Sequence, residues 1–231
     1  MFETRVRKGV LQLRRRGTRW LSTGWAGGRH EGPAAYNVSV PEGWERTDLE
    51  AYVRERRRAA GFDSAGPALL TGVDLEHARG ARYGPVEAVA TAGVSNPAAL
   101  PMEPTGEPNL PGTKEGIGTV NVFVGAERAL PEGALANLVA VTAEAKAATL
   151  LAEAGVPGTT TDAIVVACDP AGASREFTGS ATEVGAAARA CVREAVAASL
   201  DSRYADGGMP ASVAEAEYGI ETTGRAELFV P

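Results

Sequence analysis

The chain has 231 residues, 44% of them apolar, and a formal net charge of −6. That length and composition exclude a disordered chain and a miniature domain dependent on disulfides. No uninterrupted apolar run approaches the roughly 20 residues that span a bilayer. Charge is unevenly spread: residues 1–60 carry 13 Arg and Lys against 7 Asp and Glu, while the remainder carries 10 against 22. The basic clusters at Arg14-Arg15-Arg16 and around Arg56-Arg57-Arg58 have no aromatic platform or nucleic-acid motif beside them, so they are expected to be solvated faces. The N-terminus, Met1-Phe2-Glu3-Thr4-Arg5, lacks the apolar stretch of a signal peptide. A soluble cytoplasmic protein without nucleic-acid or membrane partners is therefore expected, with a homo-oligomer left open.

In chain order, residues 6–13 and 19–23 read as two strands of a hairpin around the Arg15-Arg16-Gly17 turn. A glycine-rich stretch, 24–28, follows, then a short strand over 35–40. Thr47-Asp48-Leu49-Glu50 has the pattern of a capping box that opens a helix to about residue 60, with Gly61 as its stop. Residues 68–73 and 86–92 read as strands. Residues 97–116 contain five prolines and cannot be regular; a loop of that length is either a lid over a large ligand or a surface insertion. A strand is expected over 118–124. An alanine-rich helix is expected over 135–154, entered through Pro131 and stopped by Gly155. An apolar strand at 163–167 has the character of a mid-sheet element. Ser180-Ala181-Thr182-Glu183 is a second capping-box pattern, with a helix to about residue 200. A short helix near 212–218 and a last strand over 226–230 complete the chain. Paired strands early and strand–helix alternation late predict an α+β, mixed α/β domain spanning 1–231. Its sheet is largely antiparallel and flanked by helices, and it is not a Rossmann fold.

Familiar catalytic signatures are missing. There is no Gly-x-Ser-x-Gly elbow, phosphate loop or dinucleotide fingerprint. Two cysteines, Cys168 and Cys191, sit in apolar surroundings and read as buried thiols. Two histidines, His30 and His77, are too few for a histidine-rich metal site. What the chain does carry is four clusters of hydroxyl and amide residues at the ends of apolar strands. They are Leu21-Ser22-Thr23, Thr91-Ala92-Gly93-Val94-Ser95-Asn96, Gly118-Thr119-Val120-Asn121-Val122 and Gly158-Thr159-Thr160-Thr161-Asp162. Strand ends and adjoining loops are where sites gather, and such side chains can hold a carboxamide-rich ligand.

Several of these blocks resemble the successive signatures of adenosylcobinamide amidohydrolases: 91–96, 118–122, Thr142-Ala143-Glu144-Ala145-Lys146 and 161–166, all in the family's order. Leu21-Ser22-Thr23 with Gly27-Gly28, Tyr36-Asn37, Leu70-Thr71-Gly72-Val73 and Phe177-Thr178-Gly179-Ser180 match as well. The resemblance covers the chain from about residue 10 onward. It implies hydrolysis of the amide bond of adenosylcobinamide, giving adenosylcobyric acid and 1-amino-2-propanol, in corrinoid salvage for cobalamin biosynthesis. A non-catalytic corrinoid carrier or sensor is the alternative. At Thr160 the sequence departs from a Gly-Thr-Gly-Thr pattern, which matters if that position needs positive φ.

Amide hydrolysis needs an activated nucleophile, donors for the oxyanion and an acid for the departing amine. Asp162 and Glu144 are the candidate bases, the latter if burial within its helix raises its pKa. Lys146, one of three lysines, is a candidate for protonating the amine or steadying the oxyanion. Glu144 and Lys146 are two apart on a helix, so at most one faces the site. Ser22, Thr91, Ser95, Asn96, Thr119, Asn121, Thr160 and Thr161 are the candidate substrate-binding residues. Asn96, Asn121 and the backbone near Gly158 are the candidates for amide recognition or the oxyanion hole. Thr160 or Thr161 serves as nucleophile only with a base in reach; direct attack by water is preferred. No cofactor or metal is required by the sequence, and the corrinoid is the substrate. A divalent metal stays open, since Asp162 with Glu144 would suit a hard, oxygen-preferring ion.

Overall fold

The computed structural model describes residues 2–41, 44, 46–106 and 119–231. In chain order its elements are β1 (Glu3–Arg7), β2 (Val10–Ser22), β3 (Gly28–Ser39), α1 (Leu49–Ala59), β4 (Ala68–Thr71), β5 (Arg79–Tyr83), β6 (Val86–Ala92), β7 (Pro97–Ala99), β8 (Val120–Ala129), α2 (Glu132–Ala154), β9 (Gly158–Thr159), β10 (Ala163–Ser174), α3 (Glu183–Arg203) and β11 (Ile220–Glu221). The main sheet has eight strands in the order β4-β3-β2-β10-β8-β6-β5, with β1 beside β2. Only β10–β8 and β3–β4 run parallel; the other pairings in this sheet are antiparallel. The fold is therefore α+β with a mixed, largely antiparallel sheet, as expected from the order of elements.

Alternation along the central strands assigns the two faces. Val120, Val122 and Val124 of β8 point into a core shared with α2 and α3, which includes Leu135, Leu138, Val192 and Val196. Phe123 points the other way and joins Trp20, Leu13, Val165 and Phe2. All seven residues of β6 are buried, the pattern of a strand covered on both faces. Helix α2 has the length and hydropathy of a membrane span. In the fold its inner stripe, from Ala134 through Leu138 and Val141 to Leu150, is packed in the protein core. Gly155 closes the helix at φ 70°, the left-handed stop that glycine accommodates.

Several expectations are corrected. Arg15-Arg16-Gly17 is not a hairpin turn. It is a bulge inside one continuous strand, where β2 shifts register against β3 between Arg14 and Thr18. The local signal was sound, since Gly17 has φ 68°, but a bulge and a turn both need such a residue. The hairpin turn lies earlier, at Lys8 and Gly9, both with positive φ, joining Arg7 to Val10. In the first capping-box pattern Asp48 takes the cap position without a side-chain cap bond and instead accepts from Arg46 at 2.8 Å. In the second the cap is Thr182, accepting from Gly185 at 3.0 Å, two residues beyond Ser180. Strand β5 was not foreseen, and residues 226–230 are not a strand. Leu228, Phe229 and Val230 are almost wholly exposed and pair with no strand among the described residues, without which an extended segment is not a strand. Residues 97–99 of the proline-rich segment form β7, while its part from 107 to 116, and Gly118, lie outside the described residues.

Both cysteines are free and buried, and burial pushes each thiol above its ordinary range. Folded thiols held protonated in this way support stability at neutral pH. They cease to do so as pH rises past the ordinary thiol range near 8.5. A bulky aromatic disulfide reagent is accordingly expected to label neither Cys168 nor Cys191 at pH 7 until the protein is unfolded in denaturant, with two equivalents reacting thereafter.

Candidate active site

The N-terminal ends of the parallel neighbours β8 and β10 converge with the two-residue strand β9 and the middle of α2. At this junction Asp162 and Lys146 form an ion pair. The Lys146 side chain is 9% exposed and that of Asp162 13%, so the pair is largely removed from water. The carboxylate accepts from three further donors: the Val120 N–H at 2.9 Å, the Thr159 N–H at 3.1 Å and the Thr159 hydroxyl at 2.5 Å. Four donors on one carboxylate offset its desolvation and fix its orientation. Gly158 allows the approach. A Cβ built there would lie 2.8 Å from Asp162 Oδ2 and 3.0 Å from Lys146 Nζ.

Asp162 faces a cleft of about 590 Å³ that also presents Thr119, Asn121, Thr161, Thr71, Trp25 and Trp44. That volume is within the range of small-molecule sites. The Thr119 hydroxyl donates to the Thr161 carbonyl at 2.7 Å, which ties the start of β8 to the turn before β10. On the cleft floor Asn121 Nδ2 donates to Asn37 Oδ1 at 2.9 Å and to the Leu70 carbonyl at 2.8 Å. Asn37 in turn donates to the Thr91 hydroxyl at 2.8 Å. The mouth carries aromatic side chains: Trp25 is 45% exposed, and Trp44 packs on Tyr52 at 5.0 Å between ring centres. Arg46 beside Asp48 holds that carboxyl below its usual range.

The model of the family described as adenosylcobinamide amidohydrolase matches residues 2–208. This chain belongs to the adenosylcobinamide amidohydrolase family. A relative in Halobacterium salinarum, named adenosylcobinamide amidohydrolase, is 57% identical over 235 residues, covering all of both chains. One of the same name in Methanosarcina mazei is 30% identical over 193 residues, covering 79% of this chain and 90% of its own. No solved structure matches the chain.

For this family member the fold gathers some of the residues singled out in the sequence and separates others. Asp162, Thr119, Asn121 and Thr161 share the cleft. Thr91 is buried behind it, joined to Asn121 through Asn37. Ser22 is also buried and accepts from the Gly24 N–H at 3.2 Å, shaping the turn that carries Trp25. Asn96 is fully buried and donates to the Thr160 hydroxyl at 2.6 Å. Strand β7 pairs with β9 next to it, so Asn96 and Thr160 brace the turn that presents Asp162 rather than line the cleft. Ser95 offers its carbonyl to the Tyr218 N–H at 3.4 Å. Thr160 is not among the described residues with positive φ, so its replacement of a glycine costs no backbone strain.

Glu144 is a correction. Its side chain is 61% exposed and pairs with Arg189 of α3, on the side of α2 away from Lys146, so the burial that would have made it a base is not there. A metal site built from Asp162 and Glu144 fails for the same reason. Among the described residues no three His, Cys, Asp or Glu side chains converge. Among the described residues the Thr159 hydroxyl, which was not among the candidates, meets a carboxylate, that of Asp162. Sequence reasoning gave no site role to Asn37, Trp25 or Trp44, and it singled out the backbone near Gly158 without the close approach of Asp162 and Lys146 that requires glycine there. An asparagine between Tyr36 and Val38 in an apolar strand, and the Tyr36-Asn37 block of the resemblance, were the signals available for Asn37.

The unequal sharing of donors predicts unequal mutant stabilities. Asp162→Ala leaves an ammonium with no other described partner and is expected to cost about 3–5 kcal/mol. Lys146→Met leaves a carboxylate that retains three donors and is expected to cost about 1–3 kcal/mol. Gly158→Ala, which drives a methyl against both members of the pair, is expected to fall near Lys146→Met, at about 1–3 kcal/mol. Urea unfolding midpoints of the three variants check the order.

Proposed function

We propose that the protein hydrolyses the amide bond of adenosylcobinamide to adenosylcobyric acid and 1-amino-2-propanol, as a cytoplasmic step of corrinoid salvage, with the reacting amide placed between Asp162 and Asn121. The observation that carries the reading is the meeting of Asp162, Thr119, Asn121 and Thr161 in one cleft of a chain that belongs to this family over nearly its whole length. A corrinoid bristles with carboxamides, and the lining offers hydroxyl, amide and backbone groups that pair with them. The exposed Trp25 and the Trp44–Tyr52 stack suit the flat apolar faces of such a ligand.

Among the described residues Asp162 is the one carboxylate that lines the cleft, and it serves as general base for a water molecule that attacks the amide carbon. Its contacts set how it works. To take the water's proton it must release one of its four donors, and the Thr159 hydroxyl, which can turn about its C–O bond without moving the backbone, is the one that yields. Lys146 lies behind the carboxylate and does not line the cleft. It holds Asp162 in place and supplies positive charge as the tetrahedral oxyanion forms. The proton taken from water then passes to the departing amine, so that the C–N bond breaks with a neutral amine as leaving group. Thr119, Thr161 and Asn121 hold the amide in register with the base.

Incubation of the purified protein with adenosylcobinamide and mass-spectrometric detection of 1-amino-2-propanol tests the reading directly. Stoichiometric release is expected. Binding of the corrinoid without release assigns the protein as a carrier instead. Asp162→Asn is expected to lower kcat by about 10²-fold or more in protein whose circular dichroism is unchanged. Glu144→Gln is expected to turn over as the unmodified enzyme does. A fall in activity on Glu144→Gln equal to that on Asp162→Asn overturns the assignment of roles.

A further inference from the structure

The floor of the cleft has a fixed hydrogen-bond polarity. Asn37, Thr91 and Asn121 are all fully buried. The Leu70 carbonyl, 2.8 Å from the Asn121 amide, can only accept, so the atom facing it is nitrogen. That nitrogen's second hydrogen goes to Asn37 at 2.9 Å, so the atom of Asn37 facing Asn121 is oxygen, and Asn37's own nitrogen faces the Thr91 hydroxyl at 2.8 Å. Every amide in the row is thereby oriented from a single backbone carbonyl. One atom is left over: Asn121 Oδ1 is shielded from solvent and has no donor among the described residues. A buried acceptor left without a partner costs on the order of 1–3 kcal/mol, so a row of three side chains that creates one calls for a ligand.

We propose that Asn121 Oδ1 is a fixed acceptor for a carboxamide N–H of the substrate, its polarity set by the Leu70 carbonyl, and that Asn37 is the positioning residue that holds it firmly in place. This rests on the corrinoid-amide reading above and deepens it. Asn121 is the register partner of Ala163, next to Asp162, and its neighbour Val120 donates to the Asp162 carboxylate. The N–H within closest reach of the acceptor is therefore that of the amide under attack. An acceptor at this point discriminates between substrate and product. The amide nitrogen offers a hydrogen, whereas the carboxylate formed by hydrolysis offers only lone pairs. Product held there faces both Asn121 Oδ1 and the Asp162 carboxylate, which favours its departure. With Asn37 replaced by an apolar group of like size, one of the two bonds holding Asn121 Nδ2 is lost. The Leu70 carbonyl still fixes the polarity of the Asn121 amide, which is then held by one bond instead of two.

The test compares the KM for adenosylcobinamide with the inhibition constant of adenosylcobyric acid in the unmodified enzyme, Asn37→Leu and Asn37→Asp, after melting curves establish that each is folded. In Asn37→Leu the ratio of product inhibition constant to substrate KM is expected to fall about three-fold, because the acceptor, held by the Leu70 carbonyl alone, is no longer fixed against the substrate N–H. In Asn37→Asp an oxygen still faces Asn121 and the Thr91 hydroxyl can rotate to donate, so the ratio is expected to be restored. Should Asn37→Leu fail to fold, Asn121→Ala, which leaves a void rather than inserting bulk, is expected to lower the same ratio. An equal loss of affinity for substrate and product in these variants overturns the assignment of the acceptor to the amide under attack. It places the N–H on a peripheral carboxamide that both molecules retain. An unchanged ratio with both affinities unchanged, in folded Asn37→Leu or Asn121→Ala, overturns the proposal. If the unmodified enzyme releases no 1-amino-2-propanol, it is the reading of the activity that falls, whatever the two affinities do.

Discussion

The ion pair between Lys146 and Asp162 is the constraint around which the site is arranged. A charged pair this far from water persists only where further donors complete the carboxylate, and they come from places far apart in the chain. Val120 begins β8, Thr159 ends β9, and Lys146 reaches in from the middle of α2. One carboxylate thereby fastens the helix layer to the sheet at the edge where the cleft opens. Packing decides that α2 lies on β8 and β10; the pair decides where along that helix the contact is locked.

The support extends outward from Asp162 in two directions. On one side Asn96 and Thr160 join the end of β6 to the 158–162 turn, and the small sheet β11-β7-β9 carries that brace on to residues 220–221. On the other side the row Thr91, Asn37 and Asn121 crosses the main sheet beneath the cleft. The two arrangements do different things. The first holds a charged group rigidly at the wall, and the second holds neutral amides in a set polarity on the floor. A catalyst of amide cleavage needs both, a base that does not wander and a recognition group that can tell an amide from the acid it becomes.

Much of the architecture was legible because it follows from periodicity. The continuous apolar run of β10, the alternation of β8 and the glycine that ends α2 each have one physical reading. Arg15-Arg16-Gly17 was misread because a left-handed glycine is required equally by a turn and by a bulge, and only the presence of β3 alongside distinguishes them. The hydroxyl and amide clusters pointed to the right strand ends, since polar residues at the edge of apolar strands have few other uses. They could not reveal which member faces the ligand. Asn96 and Asn121 look alike in sequence, yet one braces a turn and the other floors the cleft. Glu144 shows the limit most clearly. An acidic residue in an alanine-rich helix reads as buried until the position of Arg189 on α3 is known. Asn37 was hidden for the opposite reason, because its meaning lies in two partners 54 and 84 residues away.

The central claim is that substrate lies in the cleft bordered by Asp162 and Asn121. A crystal structure of Asp162→Asn soaked with adenosylcobinamide measures this most directly. The account predicts a corrin ring against Trp25 and Trp44, with the aminopropanol amide directed at residue 162 and its N–H toward Asn121 Oδ1. A corrinoid bound instead in the separate groove lined by Val6, Arg79, Arg82 and Glu87, with the Asp162 cleft empty, would contradict it.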